Sequence, residues 1–552
     1  MVVIRSHMNN GCRLRTNLGP PTAWLLLLLL SVEFVFLPRI WGPTLADAAA
    51  GAAATDTPLP PSRCPGSCTL HGTCNEELGR CDCPRHLSGP DCSRRLPRPE
   101  LLQRCRQQGY SGLKECLDPE QSCLNRCNRR GSCVAGFCHC KPGHFGADCS
   151  LSLDSAGRPV LLAGSGYSTR TKRPWVYVYE LPPEMTVWYN FRRLDRPLHL
   201  LLWQRLLSSG ARVADGAEAD YYLLPVRQRS FSDSPLLEAA MRYSAAHWPW
   251  WNGTGGGHRH LVLHTGDWGR AEASPEVQLL GWNMSWLTHW GLTKDRDIPR
   301  WSRSFRPDKD VVLPVYISPG HFVKFGMTRS PLHPRLAARA AARNRTARTA
   351  ATLFFAGRIC PDQRYPTPET WPHCGGQSSD NWYSGGIREK VVAAHWSRPG
   401  FHLVASEPRY GAYLAGSTYC LAPPGAGHGQ RQIQALFMGC VPVTVADHVA
   451  EPFEPALSWQ RWGVRAAEAD IPRLHELLAG VGEEQLAGMR SRMHCAAQHM
   501  LYSSISGGLL GEDGRYDAFE SALEVLRVRG RHPGEPQARF GQLDADFAEF
   551  MS

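Results

Sequence analysis

Three glycines and one arginine form the part of the chain whose residue types are best suited to bind an anion. Gly425, Gly427 and Gly429 lie in one turn, and Arg431 follows them directly. Glycines allow backbone N–H groups to approach a ligand closely. A helix that begins after the glycines would add the partial positive charge of its N-terminus. The pattern predicts an anion site, although glycine-rich turns also occur in βαβ units that bind nothing.

The elements around this turn are predicted to be a strand, the turn, a helix and a second strand. Apolar residues recur at helical spacing in 433–437, so one face of the helix would pack inward. Arg431 and Gln434, three residues apart, would share another face. The β-branched run 441–445 is typical of a buried parallel strand. In open parallel sheets, ligands bind at the carboxyl ends of the strands, which is where this turn would lie.

The composition indicates a folded protein of several domains with excess positive charge. The chain has 552 residues, 43% of them hydrophobic and 9% aromatic, and a formal net charge of +11. A chain of this size can bury several cores. Its charge favours acidic partners or anionic surfaces. Nucleic acid is a poor candidate because the N-terminus predicts export from the cytosol.

The export signal is an apolar run, 23–37, that follows several arginines. Positive charge ahead of an apolar run is typical of a segment that leaves the rest of the chain in the lumen. Segment 23–41 is therefore predicted to be a type II signal anchor, with 1–22 as a cytosolic tail. A cleavable signal peptide is the alternative, because the small residues of 45–54 offer cleavage sites.

The predicted location is the Golgi membrane, with the body of the chain in the lumen; a secreted product is the alternative. Three Asn-X-Ser/Thr triplets fit a glycosylating compartment. They begin at Asn252, Asn283 and Asn344. Because such triplets also arise by chance, they support this location without fixing it.

Most of the 20 cysteines lie between Cys64 and Cys149, and their spacing repeats once. The two sets, 64–92 and 123–149, each contain six cysteines in the spacing C-x3-C-x5-C-x(4 or 6)-C-x-C-x8-C and resemble the EGF-like module. The resemblance implies the pairs Cys64–Cys74, Cys68–Cys81, Cys83–Cys92, Cys123–Cys133, Cys127–Cys138 and Cys140–Cys149, with Cys105–Cys116 left as a linker pair. Zinc binding is the alternative, but an oxidising lumen favours disulfides. Such modules are expected to be spacers or to bind a protein partner.

An ordered series of motifs resembles the exostosin-type glycosyltransferase domain over about 175–526. The series consists of 176–183 (Val-Tyr-Val-Tyr-Glu-Leu-Pro-Pro), 218–226, 250–257 with 266–269, 310–314, 353–358, 386–390 and the glycine turn. The resemblance implies a GT-B fold, in which two Rossmann-like α/β halves face a cleft, and inverting transfer of a sugar from a nucleotide-diphosphate sugar. The alternation of strand-like and helical segments independently favours parallel sheets.

The predicted organisation follows from these boundaries. The segments after the anchor are a linker (42–63), the first EGF-like module (64–92), a linker with Cys105 and Cys116 (93–122), the second EGF-like module (123–149), a linker (150–172), the N-terminal or acceptor half (173–348), the C-terminal or nucleotide-sugar half (349–526) and a C-terminal tail (527–552).

The chemistry of glycosyl transfer assigns roles within this framework. A departing diphosphate needs positive charge and hydrogen-bond donors. The predicted donor-binding residues are Arg431, Gln434, Gly425, Gly427, Gly429, Arg358 and Arg388. The acceptor hydroxyl needs a base, and the candidates are Asp267, at the family's Asp-Trp-Gly position, and His258 and His260 just before it. Each arginine or histidine could instead be a structural residue.

No metal or cofactor is expected besides the donor, because arginine and a helix N-terminus can hold a diphosphate. The Asp544-Ala-Asp546 sequence has the Asp-x-Asp form of a metal site, but it lies beyond the matched domain. It is predicted to be a solvated charge pair in the C-terminal tail.

Two departures from the family pattern keep a second function open. Many members carry Glu where Gln434 stands, and an Asp-His pair where this chain has 257–260. These changes favour an inactive lumenal or extracellular binding protein that acts through its EGF-like modules. The glycine turn, Arg431 and the complete motif order favour an enzyme that acts on a glycan or glycoprotein acceptor.

The remaining cysteines suggest two cross-links in the C-terminal half. Cys360–Cys374 is predicted to staple the loop after Arg358, and Cys420–Cys440 to join the strands that flank the glycine turn. Cys495 and Cys12 are expected to stay unpaired.

Overall fold

The computed structural model describes residues 64–66, 73–75, 80–82, 87–107, 113, 123–134, 137–186, 197–327, 330–333, 350–361, 366–374, 382–427, 429–506 and 514–552. The predicted signal anchor, Asn344, Cys12, Cys68, Cys83 and Cys116 lie outside these residues, as does the side chain of Cys74. Within the described part of the chain, no helix combines the length and apolar character needed to cross a bilayer. The chain forms two compact units, of which the larger contains 123–131 and 138–552.

Among its described residues, the smaller unit contains two short hairpins and one helix. Strand β1 (Thr73–Asn75) pairs with β2 (Arg80–Asp82), β3 (Leu87–Ser88) pairs with β4 (Arg94–Arg95), and helix α1 spans Arg98–Gln107. One small buried cluster consists of Cys64, Leu87 and Cys92, and a second of Leu96, Leu101 and Cys105; the cysteines of both are disulfide-bonded. So small a core depends on its cross-links, as expected of an EGF-like module. The helix lies in the predicted linker 93–122.

Two of the three cross-links predicted for the second EGF-like module are present, and the Cys123–Cys133 pair stays a prediction, although both cysteines are disulfide-bonded. Strands β5 (Gly131–Val134) and β6 (Phe137–Cys140) form its hairpin. Disulfides join Cys127 to Cys138 and Cys140 to Cys149. The predicted linker 150–172 contains a further antiparallel hairpin, β7 (Leu151–Leu153) with β8 (Pro159–Leu161).

A buried ionic cluster fastens the end of this module to the N-terminal half of the large domain. Asp148 is 0% and Arg212 1% exposed. The Arg212 guanidinium lies 3.3 Å from Asp148 and 3.0 Å from Glu180, and it donates to Ser150 Oγ at 2.6 Å. Although burial opposes ionisation, Arg212 and three side-chain hydrogen bonds hold the pKa of Asp148 below its ordinary value. Residues 138–149 are therefore a fixed part of the large unit.

The N-terminal half is built on a parallel sheet with the strand order β13-β12-β11-β10-β9. Its strands are β9 (Val176–Val178), β10 (Tyr221–Leu223), β11 (His260–His264), β12 (Ser285–Thr288) and β13 (Val311–Val312). Its helices are α2 (Pro183–Thr186), α3 (Leu198–Leu207), α4 (Ser234–His247), α5 (Trp250–Gly253), α6 (Pro275–Leu280) and α7 (Pro319–Lys324). Every residue of these strands is buried, as expected of a parallel sheet that is covered on both faces.

The C-terminal half contains a second parallel sheet, of order β15-β14-β16-β17-β18. Its strands are β14 (Ala351–Ala356), β15 (Phe401–Val404), β16 (Ser417–Leu421), β17 (Val441–Val445) and β18 (Val464–Ala466). Its helices are α8 (Ile387–His395), α9 (Tyr410–Gly416), α10 (Arg431–Phe437), α11 (Leu474–Ala479), α12 (Glu483–Met500) and α13 (Ser503–Ser506). The two sheets confirm the expected GT-B arrangement of two Rossmann-like halves.

The C-terminal segment is folded, so the prediction of a polar tail over 527–552 is wrong. Helix α14 (Ala518–Arg531) is followed by α15 (Phe540–Leu543) and α16 (Ala545–Phe550). Helix α14 returns to the N-terminal half, where the Tyr221 hydroxyl donates to the Leu526 carbonyl at 2.9 Å. Asp544 is buried and accepts two hydrogen bonds from Arg527, at 2.7 and 2.9 Å. It is therefore a structural ion-pair partner and not a solvated residue.

The cross-links of the C-terminal half match the predicted pairs. Disulfides join Cys360 to Cys374 and Cys420 to Cys440. The second ties β16 to the residue before β17, across the glycine turn and α10. Cys495 is also disulfide-bonded, so the expectation that it is unpaired is wrong.

Candidate active site

A cavity of about 520 Å³ opens where the strands of the C-terminal sheet end. Arg358 follows β14, Glu407 follows β15 and Gly429 belongs to the glycine turn, and all three line the cavity. Val315 and His321 of the N-terminal half complete one wall. The cavity therefore lies at the carboxyl edge of the sheet, where parallel α/β folds bind their ligands.

Arg431 opens α10 and is fixed over the end of β14. Its Nη2 and Nε atoms donate to the Ala356 carbonyl at 2.8 and 3.3 Å, and its guanidinium carbon lies 4.9 Å from the centre of the Phe355 ring. Arg431 lines the cavity, as predicted. Because α10 has only seven residues, the guanidinium, and not the helix dipole, is the main source of positive charge here.

The position of Arg431 depends on the absence of a side chain at Gly357. A Cβ atom at Gly357 would lie 1.6 Å from Arg431 Nη2 and 2.7 Å from Cζ. The end of an arginine side chain can swing away at little cost in stability. A methyl group at this position would therefore move the guanidinium, and it would also strain the backbone, since Gly357 has φ +158°.

We expect Gly357→Ala to lower the turnover of a sugar-nucleotide donor by about 10-fold or more, by analogy with the removal of a single transition-state donor. The melting temperature should also fall, because Gly357 has φ +158°, a backbone conformation that residues with a Cβ rarely adopt. Gly534→Ala is the control for backbone strain alone, since Gly534 has φ +87° and a Cβ there has no atom within 4 Å. Equal turnover in Gly357→Ala and wild type would show that the observed position of Arg431 is not needed.

Arg388 is hydrogen-bonded to the start of the glycine turn and is not one of the residues that line the cavity. It is 3% exposed. Its Nε donates to the Pro424 carbonyl at 2.8 Å, and its Nη1 donates to the Arg358 carbonyl at 2.8 Å and to the Tyr383 hydroxyl at 2.7 Å. The prediction that Arg388 contacts a donor phosphate is therefore wrong, and its role is to hold the turn in place.

The glycine turn is also the point where the C-terminal half touches the loop that carries Asp267. Gly427 has φ +72°, and a Cβ there would lie 1.6 Å from the Asp267 carbonyl oxygen. The Gly425 N–H donates to the Gly427 carbonyl at 2.9 Å and closes the turn. Gly425 and Gly427 thus shape the contact, while Gly429 lines the cavity. Asp267 follows β11 at its carboxyl end, so the structure brings the predicted base next to the predicted donor turn.

His260 and His258 lie at the opposite end of β11, and their prediction as catalytic bases is wrong. His260 begins the strand, is 0% exposed and bonds through Nε2 to the Tyr179 hydroxyl at 2.7 Å. Burial and the neighbouring Arg259 lower the pKa of His260 to about 3. His258 is exposed in the loop before the strand. The sequence places these residues near Asp267, but a five-residue strand separates them from the catalytic edge.

Gln434, a predicted donor-binding residue, lines the cavity, and two partners from other elements hold its side chain. Its Oε1 accepts from the Tyr410 hydroxyl at 2.8 Å, and its Nε2 lies 2.9 Å from His321 Nε2. Neither partner was predicted from the sequence. The Ser318-Pro319 pair is a helix-start signal that could have predicted α7, but one of 22 histidines carries no signal of its distant partner.

Two further ionic groups, Arg358 and Glu407, line the cavity. The Arg358 Nε donates to the Cys360 carbonyl at 2.9 Å, and its guanidinium carbon lies 4.5 Å from the centre of the Tyr383 ring. Glu407 accepts from the Arg409 N–H at 2.8 Å and pairs with His402 at 2.9 Å, and these hydrogen bonds lower its pKa. The cavity thus combines two forked cations with one carboxylate.

Among the described residues, one group has the spacing of metal ligands, and it consists of Cys123, Cys127 and Cys138. Cys127 and Cys138 are already joined to each other, and Cys123 is disulfide-bonded as well. Disulfide formation, and not zinc, therefore accounts for these cysteines.

Two solved structures share a distant likeness with the chain. The structure of Anabaena HepE in complex with UDP and glucose aligns with a TM-score of 0.26 and 11% identity, over 52% of this chain and 76% of that chain. A glycosyltransferase from Rickettsia africae aligns with a TM-score of 0.27 and 10% identity, over 66% of this chain and 100% of that chain. At these TM-scores neither likeness supports an argument about this protein.

Curated relatives are similar in sequence over more than half of the chain. A probable glucuronoxylan glucuronosyltransferase of Arabidopsis thaliana is 26% identical over 343 residues, which cover 58% of this chain and 66% of the relative. A probable beta-1,4-xylosyltransferase of the same plant is 24% identical over 379 residues, which cover 64% of this chain and 82% of the relative. The chain thus matches just under two thirds of the length of the first of these proteins.

Two family models match the chain, and they agree with the motifs. The EGF-like domain model matches residues 64–92, which is the predicted first module. The exostosin GT47 domain model matches residues 170–481, which include both parallel sheets, Asp267 and the whole cavity. The chain therefore belongs to the exostosin GT47 family.

Proposed function

We propose that this protein is an inverting glycosyltransferase that moves a sugar from a nucleotide-diphosphate sugar to a glycan or glycoprotein acceptor. The observation that carries the proposal is a contact of the glycine turn. The turn supplies Gly429 to the cavity that Arg431 lines, and at Gly427 it contacts the Asp267 loop of the N-terminal half. A donor diphosphate and an acceptor base are the two groups that this reaction needs.

In the proposed reaction, the donor diphosphate lies in the cavity against Arg431 and Arg358. The acceptor hydroxyl attacks the anomeric carbon from the side of the N-terminal half, and the bond between that carbon and the diphosphate oxygen breaks. The Asp267 carboxylate takes the proton of the hydroxyl. The guanidinium groups stabilise the negative charge that develops on the departing diphosphate.

Related proteins support the class of this reaction. The relatives are named as glucuronosyltransferases and as xylosyltransferases, so uronic acid and pentose donors are the first to try. The buried ion pairs of Asp148 fix the second EGF-like module to the acceptor half, which leaves the first module as the candidate for binding a protein partner.

We propose that the protein acts in the Golgi lumen as a type II membrane protein. The apolar segment 23–41 and the three sequons support this location.

The test is turnover by the full chain across a panel of nucleotide sugars, with and without glycan acceptors. We expect hydrolysis of at least one donor and faster consumption when its acceptor is present. The absence of both turnover and nucleotide binding would contradict the proposal. It would favour the second candidate, an inactive binding protein, which the Gln434 substitution and the altered loop 257–260 support.

A further inference from the structure

Gln434 and His321 meet in the wall of the cavity, although they belong to different halves of the molecule. Gln434 lies on α10 and is 5% exposed. His321 lies on α7 and is half-buried, and its ring centre lies 4.5 Å from that of Phe325 at an interplanar angle of 37°. The 2.9 Å contact between Gln434 Nε2 and His321 Nε2 is therefore part of the surface that a donor would meet.

Three contacts surround the Gln434 amide in its observed orientation. The Tyr410 hydroxyl lies 2.8 Å from Oε1, and burial raises the pKa of Tyr410, so this hydroxyl keeps its proton. The Gln430 Oε1 atom lies 3.4 Å from Gln434 Nε2 and can only accept. With Oε1 facing Tyr410, the amide N–H faces His321, and His321 Nε2 must accept.

A histidine that accepts at Nε2 is neutral and carries its proton on Nδ1. We propose that Gln434 is a positioning residue, which holds His321 in this neutral form so that His321 offers the donor an uncharged N–H. The proposal deepens the proposed function, on which it rests. It assigns to Gln434 a task that a glutamate at the same position could not perform, because a carboxylate cannot donate.

The charged groups around His321 agree with this assignment. Burial, with a smaller contribution from Lys324 on the same helix, lowers the pKa of His321. Arg431 on α10 and Arg358 after β14 line the same cavity and add positive charge, and Glu407 after β15 is the carboxylate of the lining. The Glu407 carboxylate already accepts hydrogen bonds from His402 and from the Arg409 N–H. The two arginines therefore outweigh Glu407, and the net positive charge of the lining favours a neutral His321.

The variant Gln434→Glu should reverse the direction of the hydrogen bond between residue 434 and His321. A carboxylate at 434 would accept from a protonated His321 Nε2, and the pair would raise the pKa of His321 above its ordinary value of about 6.5. His321 would then lose its charge between about pH 6.5 and 8.5. In wild type it stays neutral over that interval.

The direct test is the exchange rate of the His321 C2 hydrogen as a function of pH, followed by mass spectrometry on the full chain without ligand. We expect the pH midpoint of the His321 exchange curve to be higher in Gln434→Glu than in wild type. A second reading is the donor KM. In Gln434→Glu it should rise by about fivefold from about pH 6.5 to 8.5, the effect of one charge at about 4 Å in water. In wild type the donor KM should stay constant.

The double variant Gln434→Glu with His321→Asn is the control, and its donor KM should again be independent of pH. A titrating KM in the double variant, or an unchanged His321 midpoint in Gln434→Glu, would overturn the proposal. If Gln434→Glu does not fold, Tyr410→Phe replaces it, because the freed amide can turn and accept from a protonated His321. The midpoint should then also rise, and an unchanged midpoint would overturn the proposal. Absence of turnover in wild type would sink the proposed function alone, since the exchange measurement needs no donor.

Discussion

Replacing Arg431 with alanine should lower kcat for sugar transfer by about 10²–10³-fold, the usual effect of removing one preorganised group that stabilises transition-state charge. The guanidinium is held against the Ala356 carbonyl at the mouth of the cavity. The diphosphate gains negative charge as it leaves, so the loss should fall mainly on kcat. The measurement is initial-rate kinetics with the donor that wild type accepts.

Two further variants separate this effect from a general loss of positive charge. Arg431→Lys keeps the charge but loses the fork, and it should restore only part of the activity. Arg242→Ala removes a surface arginine that is 67% exposed and pairs with Glu238 on α4, and it should leave kcat unchanged. An Arg431→Ala variant with wild-type kcat would remove Arg431 from the reaction.

Replacing Arg212 with methionine should destabilise the large unit by about 3–5 kcal/mol, because it leaves buried carboxylates without their partner. Asp148 and Glu180 both depend on this guanidinium. The measurement is the denaturant midpoint with disulfides intact. Arg242→Met, which breaks an exposed pair worth well under about 1 kcal/mol, is the matched control. A loss below about 1 kcal/mol in Arg212→Met would mean that the module is not held by this cluster.

The difference between wild type and Arg212→Met should also depend on pH. The pKa of Asp148 is depressed in the folded protein, so its stabilising effect is present above the ordinary aspartate pKa of about 3.9 and is lost as the pH falls through the folded value. The gap between the two proteins should therefore be largest near neutral pH and shrink in acid. A gap that grows in acid would contradict this assignment of charge.

The sequence predicted those parts of the fold that depend on local pattern. The run 441–445 is apolar and β-branched, so its place in a buried strand follows from composition alone. Cys420 and Cys440 flank the glycine turn and the helix after it, so their disulfide could be predicted from the sequence. Asp267 was a candidate because it stands at the family's Asp-Trp-Gly position, and the structure places it after β11.

The errors came from contacts between residues that are distant in the chain. His260 is close to Asp267 in sequence, but the strand between them carries the two residues to opposite edges of the sheet. Asp544 looks solvated until Arg527 is placed against it. The partners of Gln434 lie 24 and 113 residues away, and no periodicity in the chain connects them.

The central claim, that the cavity at Arg431 holds the diphosphate of a sugar nucleotide, is tested most directly by equilibrium binding. The affinities of a nucleoside diphosphate and of the matching nucleoside should be compared in wild type and in Arg431→Ala. We predict that the diphosphate binds wild type more tightly than the nucleoside does, and that Arg431→Ala loses most of this advantage. A diphosphate that binds Arg431→Ala as tightly as wild type would contradict the account.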